Sequence, residues 1–193
     1  MQSTTTNNDN ITTKVKGKYT ETERSFLLFF VEQRKVEMSY NEVRQYWFNK
    51  GMNIMDLHLI LYNLMKKGLI TEIDYCSDNN NEIYIRIANK PLLVKVLLNL
   101  RYTYSATILT ALTMFYFVSI VKGYKVKFNL THFVYGENRY NIKFAYIHDN
   151  KTFKNSLNEL INKQYLTRLS RNNYLFNYTR LPEYVLNFLL ANK

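Results

Sequence analysis
Residues 61–73 read LYNLMKKGLITEI, and residues 157–169 read LNELINKQYLTRL. At an offset of 96 positions (157 minus 61), Leu61 matches Leu157, Leu64 matches Leu160, Lys67 matches Lys163 and Thr71 matches Thr167. Ile70 and Ile73 exchange conservatively with Leu166 and Leu169. In both places a leucine stripe at helical spacing runs out at a lysine, and a short strand-forming run follows. One chain thus writes the same helix-to-strand junction twice, the mark of a duplicated structural unit.

Working outward, Thr20 followed by Glu23 is a capping box that opens a helix over ETERSFLLFFVEQRK. VEMSY is a short extended link, and Ser39 caps a second helix, YNEVRQYWFNKG, that stops at Gly51. A third helix spans about Ile54–Lys67, with Ile54, Leu57, Leu61 and Leu64 on one face, and Gly68 ends it. LITEIDYCS, the polar tip DNNN and EIYIRIA form a β-hairpin whose Ile83, Ile85 and Ile87 alternate with Tyr84 and Arg86. Pro91 opens a closing helix, PLLVKVLLNL.

The second copy repeats this order more loosely. Its parts are a helix YSATILTALTMFYFVSIVK, a strand YKVKF, a helix NLTHFVYG and a helix NKTFKNSLNELINKQ. The hairpin YLTRLSRNNYLFNYTRL and the closing helix PEYVLNFLLANK, begun by Pro182, complete it. An extra run, ENRYNIKFAYIHD, separates its second and third helices. Pro91 and Pro182 lie 91 positions apart rather than 96, so the second hairpin is the shorter one. The expected fold class is mostly α with small β-hairpins (α+β), arranged as tandem winged helix-turn-helix domains. Residues 1–19 read as a disordered, mildly basic arm, 20–100 as the first winged-helix unit and 101–193 as the second.

The segment MKKGLITEIDYCSDNNNEIYIRIANKP resembles the helix-to-wing segment of MarR-type regulators. With the preceding MSYNEVRQYWFNKGMNIMDLHLILYNL it is similar to the SarA-like branch of that family, some of whose members carry two winged helices in one chain. The resemblance covers residues 22–100 directly and 104–190 through the internal repeat. It implies a transcriptional regulator that binds AT-rich promoter DNA, with a recognition helix in the major groove and a wing in the minor groove. The first wing departs from the family pattern: its tip, SDNNNE, has no basic residue, which argues against DNA contact there.

Charge separates the two copies. The chain carries 26 Lys and Arg against 15 Asp and Glu, a formal net charge of +11, which favours a polyanionic partner. Residues 20–100 hold ten charges of each sign and are net neutral, whereas residues 101–193 hold thirteen basic and four acidic residues, a net of +9. Helical spacing predicts that the third helix of the first copy turns Met55, Asp56, His58, Leu59 and Tyr62 outward, a surface poor for approaching phosphates. Its counterpart turns out Lys151, Thr152, Lys154, Asn155 and Asn158, residue types that contact phosphate oxygens and base edges. The second hairpin adds Arg168, Arg171 and Asn172, with Arg180 on its returning strand. These nine residues are the expected contacts to double-stranded DNA. The first unit and the helix near 104–121 are expected to serve a homodimer or a protein partner.

Other chemistry finds little support. Residues 102–121 are twenty without a charge and long enough to span a bilayer. Three Tyr, four Thr, two Ser and their place in the repeat assign them instead to a core or dimer helix. The cluster Phe115, Tyr116 and Phe117 reads as packing rather than a base-stacking platform. The single cysteine, Cys76, excludes an internal disulfide and, without a cationic run beside it, reads as structural. His58, His132 and His148 have no metal-type spacing, so neither a metal nor a cofactor is expected. With five Gly and no phosphate loop, catalytic triad or paired-carboxylate motif, the chain is not expected to be an enzyme. The amino-terminal stretch has no apolar core of a secretory signal, which points to the cytoplasm. The leading expectation is a sequence-selective DNA-binding protein, a transcriptional regulator. The alternatives are a plasmid or mobile-element replication initiator with two winged helices, and a protein-interaction adaptor that does not bind DNA.

Overall fold
The structure is a computed structural model that describes residues 19–77, 80–123, 127–135 and 151–192. It is mostly helical with two small antiparallel sheets. Helix α1 (Glu21–Glu32) begins in the expected capping box: Thr20 Oγ1 accepts from Glu23 N–H at 3.1 Å, and the Glu23 carboxylate accepts from Thr20 N–H at 2.8 Å. It ends earlier than its sequence pattern suggests, because Arg34 turns left-handed (φ 54°) and Lys35 N–H reaches back to Phe30 O at 3.2 Å. Strand β1 (Glu37–Ser39) leads into α2 (Tyr40–Asn49), where Ser39 and Glu42 form a second capping box. Asn53 caps α3 (Ile54–Lys66), and the chain leaves that helix through Gly68 at φ 70°. Strands β2 (Ile70–Ser77) and β3 (Asn80–Ile87) form the first hairpin, with β1 on the free edge of β3. Helix α4 (Lys90–Leu97) follows, capped by Asn89 with Pro91 in its first turn.

The carboxy-terminal half retraces this path. Helix α5 (Thr103–Lys122), strand β4 (Lys127–Asn129) and helix α6 (Leu130–Tyr135) precede α7 (Lys151–Asn162). The hairpin β5 (Leu166–Arg168) and β6 (Asn173–Phe176) leads through a 3-10 turn, Tyr178–Arg180, to α8 (Glu183–Ala191). The sheet orders, β1-β3-β2 and β4-β6-β5, are the same topology written twice. The second hairpin has strands of three and four residues against eight and eight, as the proline spacing implied. The inserted run ENRYNIKFAYIHD and His148 within it lie outside the described residues, as does the amino-terminal arm up to residue 18.

Four helices tie the halves together. Within each half the first helix packs on the last, α1 on α4 and α5 on α8. Between halves the same pairing recurs crosswise, α1 on α8 and α4 on α5. The reciprocity is what a two-fold-related pair of subunits produces, here within one chain. One continuous apolar core results, running from Phe26 and Phe30 of α1 through Leu93 of α4 and Leu109 of α5 to Phe188 of α8.

Several buried polar groups in this core are paired, whereas Tyr19 Oη and Arg24 Nε have no hydrogen-bond partner among the described residues. Glu23, only 1% exposed, receives Lys67 Nζ at 2.6 and 2.7 Å. In α5 the buried hydroxyls of Thr110, Thr113 and Ser119 each donate to the carbonyl four residues earlier at 2.8 Å. The window Thr103–Val121 is long and apolar enough to cross a membrane, and 56% of it is buried against the rest of the protein. The aromatic cluster is part of that packing. Tyr116 is buried and stacks on Tyr178 at 3.9 Å, and Phe115 meets Phe133 edge-on at 5.6 Å.

Candidate nucleic-acid interface
Helix α7 is strongly two-faced. Phe153, Ser156, Leu157 and Leu160, at i, i+3, i+4 and i+7, are buried, which fixes the helix against α5. Fixing that stripe forces the opposite one outward: Lys151, Thr152, Lys154 and Asn158 are exposed and Asn155 is half-buried. Asn162, which the sequence reading passed over, is exposed too and extends the row 151, 155, 158 by one more helical turn.

The only carboxylate on α7 is turned away from this row. Glu159 accepts from the backbone N–H groups of Arg101 at 2.5 Å and Tyr102 at 3.1 Å, and from Ser105 Oγ at 2.8 Å. It thereby supplies the amino-terminal cap of α5, whose own N-cap residue, Tyr102, provides no side-chain bond. In the sequence Glu159 is one of four acids in residues 101–193. Its cap role depends on a contact between residues 57 or 58 positions apart, which periodicity does not reveal. The consequence is electrostatic: the lysine row keeps its charge unneutralised by its own helix.

The second hairpin sits beside α6 through backbone and amide contacts. Leu130 N–H donates to Asn172 O at 2.7 Å, and Asn129 Nδ2 donates to Asn173 Oδ1 at 3.0 Å. At the tip, Leu169 and Ser170 N–H both donate to Asn173 O, and Asn173 Nδ2 donates to Ser170 Oγ at 2.7 Å. The Arg168 guanidinium folds across the turn to the carbonyls of Ser170 and Arg171, at 3.2 and 3.4 Å. That holds one cation at the tip while Arg171 and Asn172 remain exposed.

Arg180 lies elsewhere. The strand pattern predicts it on the returning strand, but β6 pairs with β5 only as far as Phe176 opposite Leu166. The Asn177 amide then donates to Gln164 O and Thr167 Oγ1, at 2.9 and 2.8 Å, and the chain coils into the 3-10 turn. Arg180 is exposed there, outside the hairpin.

Ion pairs among the described residues join Lys35 to Glu42, Lys67 to Glu23 and Arg86 to Glu37, all between residues 20 and 100. Lys151, Lys154, Arg171 and Arg180 take part in none among the described residues. In the amino-terminal half the corresponding surface is apolar. Met55, Leu59 and Tyr62 are 67%, 59% and 58% exposed, and His58 is bonded to Tyr40 Oη at 2.6 Å. The first hairpin also departs from simple alternation. Ile85 and Ile87 are buried, but Ile83, one position past the end of β1 pairing, is 42% exposed.

The chain matches no protein-family model, no curated protein and no solved structure.

Proposed function
We propose that this chain is a tandem winged-helix protein of the SarA/MarR type that binds double-stranded DNA through α7 and the β5–β6 hairpin, as a cytoplasmic transcriptional regulator. The observation that carries the reading is the pair of exposed lysines on α7, Lys151 and Lys154, which form no ion pair among the described residues, with an arginine-bearing hairpin in the same half of the molecule. In this reading α7 enters the major groove. Lys151 and Lys154 contact phosphates, Asn155 and Asn158 read base edges, and Arg168, Arg171 and Asn172 follow the backbone or minor groove. Thr152 adds a hydroxyl to the helix face, and Arg180 adds long-range attraction from outside the hairpin.

The test is joint neutralisation of Lys151, Lys154 and Arg171 to Gln, all exposed and therefore replaceable without disturbing the core. Duplex affinity is expected to fall on the order of a hundredfold, and the salt dependence to flatten by roughly 2.7 in slope, about 0.9 per lost phosphate contact. Unchanged affinity and slope would remove this surface from consideration. Footprinting distinguishes a promoter site from the iterated origin repeats of a replication initiator.

A further inference from the structure
The outward row of α3 is an apolar stripe that nothing among the described residues covers: Met55, Leu59 and Tyr62 share one line of the helix, and the exposed Lys66 ends it. Beside it a depression of about 370 Å³ opens between α3 and the hairpin, floored by Leu61 and Met65 and edged by Ile83. Such a patch on a soluble surface marks an interface. Nucleic acid is a poor occupant, since the face offers phosphates three apolar side chains and the Asp56 carboxylate.

We propose that the stripe is covered by the same stripe of a second copy of this chain, with the two α3 helices antiparallel about a two-fold axis. The charge pattern of the helix selects this occupant. Asp56 stands in the first turn and Lys66 in the last, separated by the apolar row. An antiparallel partner sets Leu59 against Tyr62 of the partner subunit and Met55 against the stem of the partner's Lys66. The ammonium of the partner's Lys66 then reaches Asp56, and symmetry makes that pair twice. The helix dipoles also oppose favourably in this arrangement. Half of the molecule bearing this face is net neutral, so the large positive charge of the chain, concentrated in residues 101–193, does not lie on the surfaces that meet. Three large side chains per copy give less than the standard interface of about 800 Å² a side, so the dimer is weak and concentration-dependent. The inference stands independently of what α7 binds.

Sedimentation equilibrium of the full chain without DNA tests it. The wild type is expected to show a monomer–dimer equilibrium, and Leu59→Glu to remain monomeric with an unchanged circular-dichroism melt. Asp56→Lys alone and Lys66→Glu alone each set like charges opposite and should weaken association about tenfold. An equimolar mixture of these two variants restores both charge pairs in the heterodimer and should associate as tightly as the wild type. A wild type that stays monomeric at every attainable concentration would overturn the proposal. So would a Leu59→Glu variant that still dimerises, or a mixture no tighter than its components.

Discussion
The outward faces of α3 and α7 differ at every position while their inward faces agree in burial. At the 96-residue offset Met55, Asp56, His58, Leu59, Tyr62 and Lys66 stand where Lys151, Thr152, Lys154, Asn155, Asn158 and Asn162 stand. Inward, Leu57, Ile60, Leu61 and Leu64 correspond to Phe153, Ser156, Leu157 and Leu160, and all eight are buried. Packing constrains the face that touches the core, because a lost methylene or a stranded polar atom there costs stability directly. Solvent imposes no such demand on the other face, which is therefore free to change partner. The same scaffold thus presents a cationic, amide-rich ridge in one half and an apolar one in the other.

The strongest way to break this contrast is to transplant it. Met55→Lys, Asp56→Thr, His58→Lys, Leu59→Asn and Tyr62→Asn together should leave the fold intact, since all five positions are exposed. Duplex binding should then tighten about tenfold or more, with a salt slope steeper by roughly 1.8 from the two added lysines. Fluorescence anisotropy over a salt series reads both effects.

A second contrast concerns one aligned lysine put to two uses. Lys67 neutralises the buried Glu23, whereas Lys163 donates to the carbonyls of Leu98 and Asn99 at 3.2 and 2.7 Å. Lys67→Met strands a buried carboxylate and should cost about 3 kcal/mol. Lys163→Met removes bonds to half-solvated carbonyls and should cost about 1 kcal/mol. Urea denaturation of the two variants compares them directly.

The residue that follows this lysine offers a finer test. Gly68 and Gln164 both adopt the left-handed conformation, with φ of 70° and 61°. No atom lies within 4 Å of where a Cβ on Gly68 would sit, so the penalty for a side chain there is purely one of backbone conformation. Gly68→Ala should destabilise by about 1 kcal/mol, and Gln164→Gly should stabilise by about 0.5 kcal/mol.

The smallest difference is one of acid sensitivity. The Lys35 ammonium first, and Ser39 N–H next, hold the Glu42 carboxyl below its ordinary value of 4.5. A carboxyl pKa depressed by folding contributes stability that is complete above the unfolded value and fades as pH falls through the folded one. Helix α6 is capped instead by the uncharged Asn129, which accepts from Thr131 and His132 N–H at 3.0 and 3.3 Å. The stability difference between wild type and Glu42→Gln should therefore shrink as pH drops below 4.5, whereas that between wild type and Asn129→Ala should not follow this titration.

Much of this was legible in residue order because it is local. Thr20 with Glu23, and Ser39 with Glu42, announce two helix starts through partners three positions apart. The outward row of α7 follows from helical period once Leu157 and Leu160 are placed inside. What escaped was long-range or set by competition. Ile83 obeys the strand alternation but not the burial it implies, because it lines the open depression between α3 and the hairpin. Arg180 lies off the strand because the Asn177 amide donates to two acceptors, Gln164 O and Thr167 Oγ1, and the chain coils there. The crosswise helix pairing, and Glu159 capping a helix that begins more than fifty residues earlier, are tertiary events with no local signature.

That crosswise pairing bears on how the chain is made. Helix α1 leaves the ribosome long before α8, yet α8 is one of the helices it packs against, beside α3 and α4. The part of α1 that α8 covers must therefore stay exposed until synthesis has passed residue 191. Maturation of the amino-terminal half is then completed by the final helix, and a nascent chain stalled before α8 is a natural client for chaperones that hold exposed apolar helices.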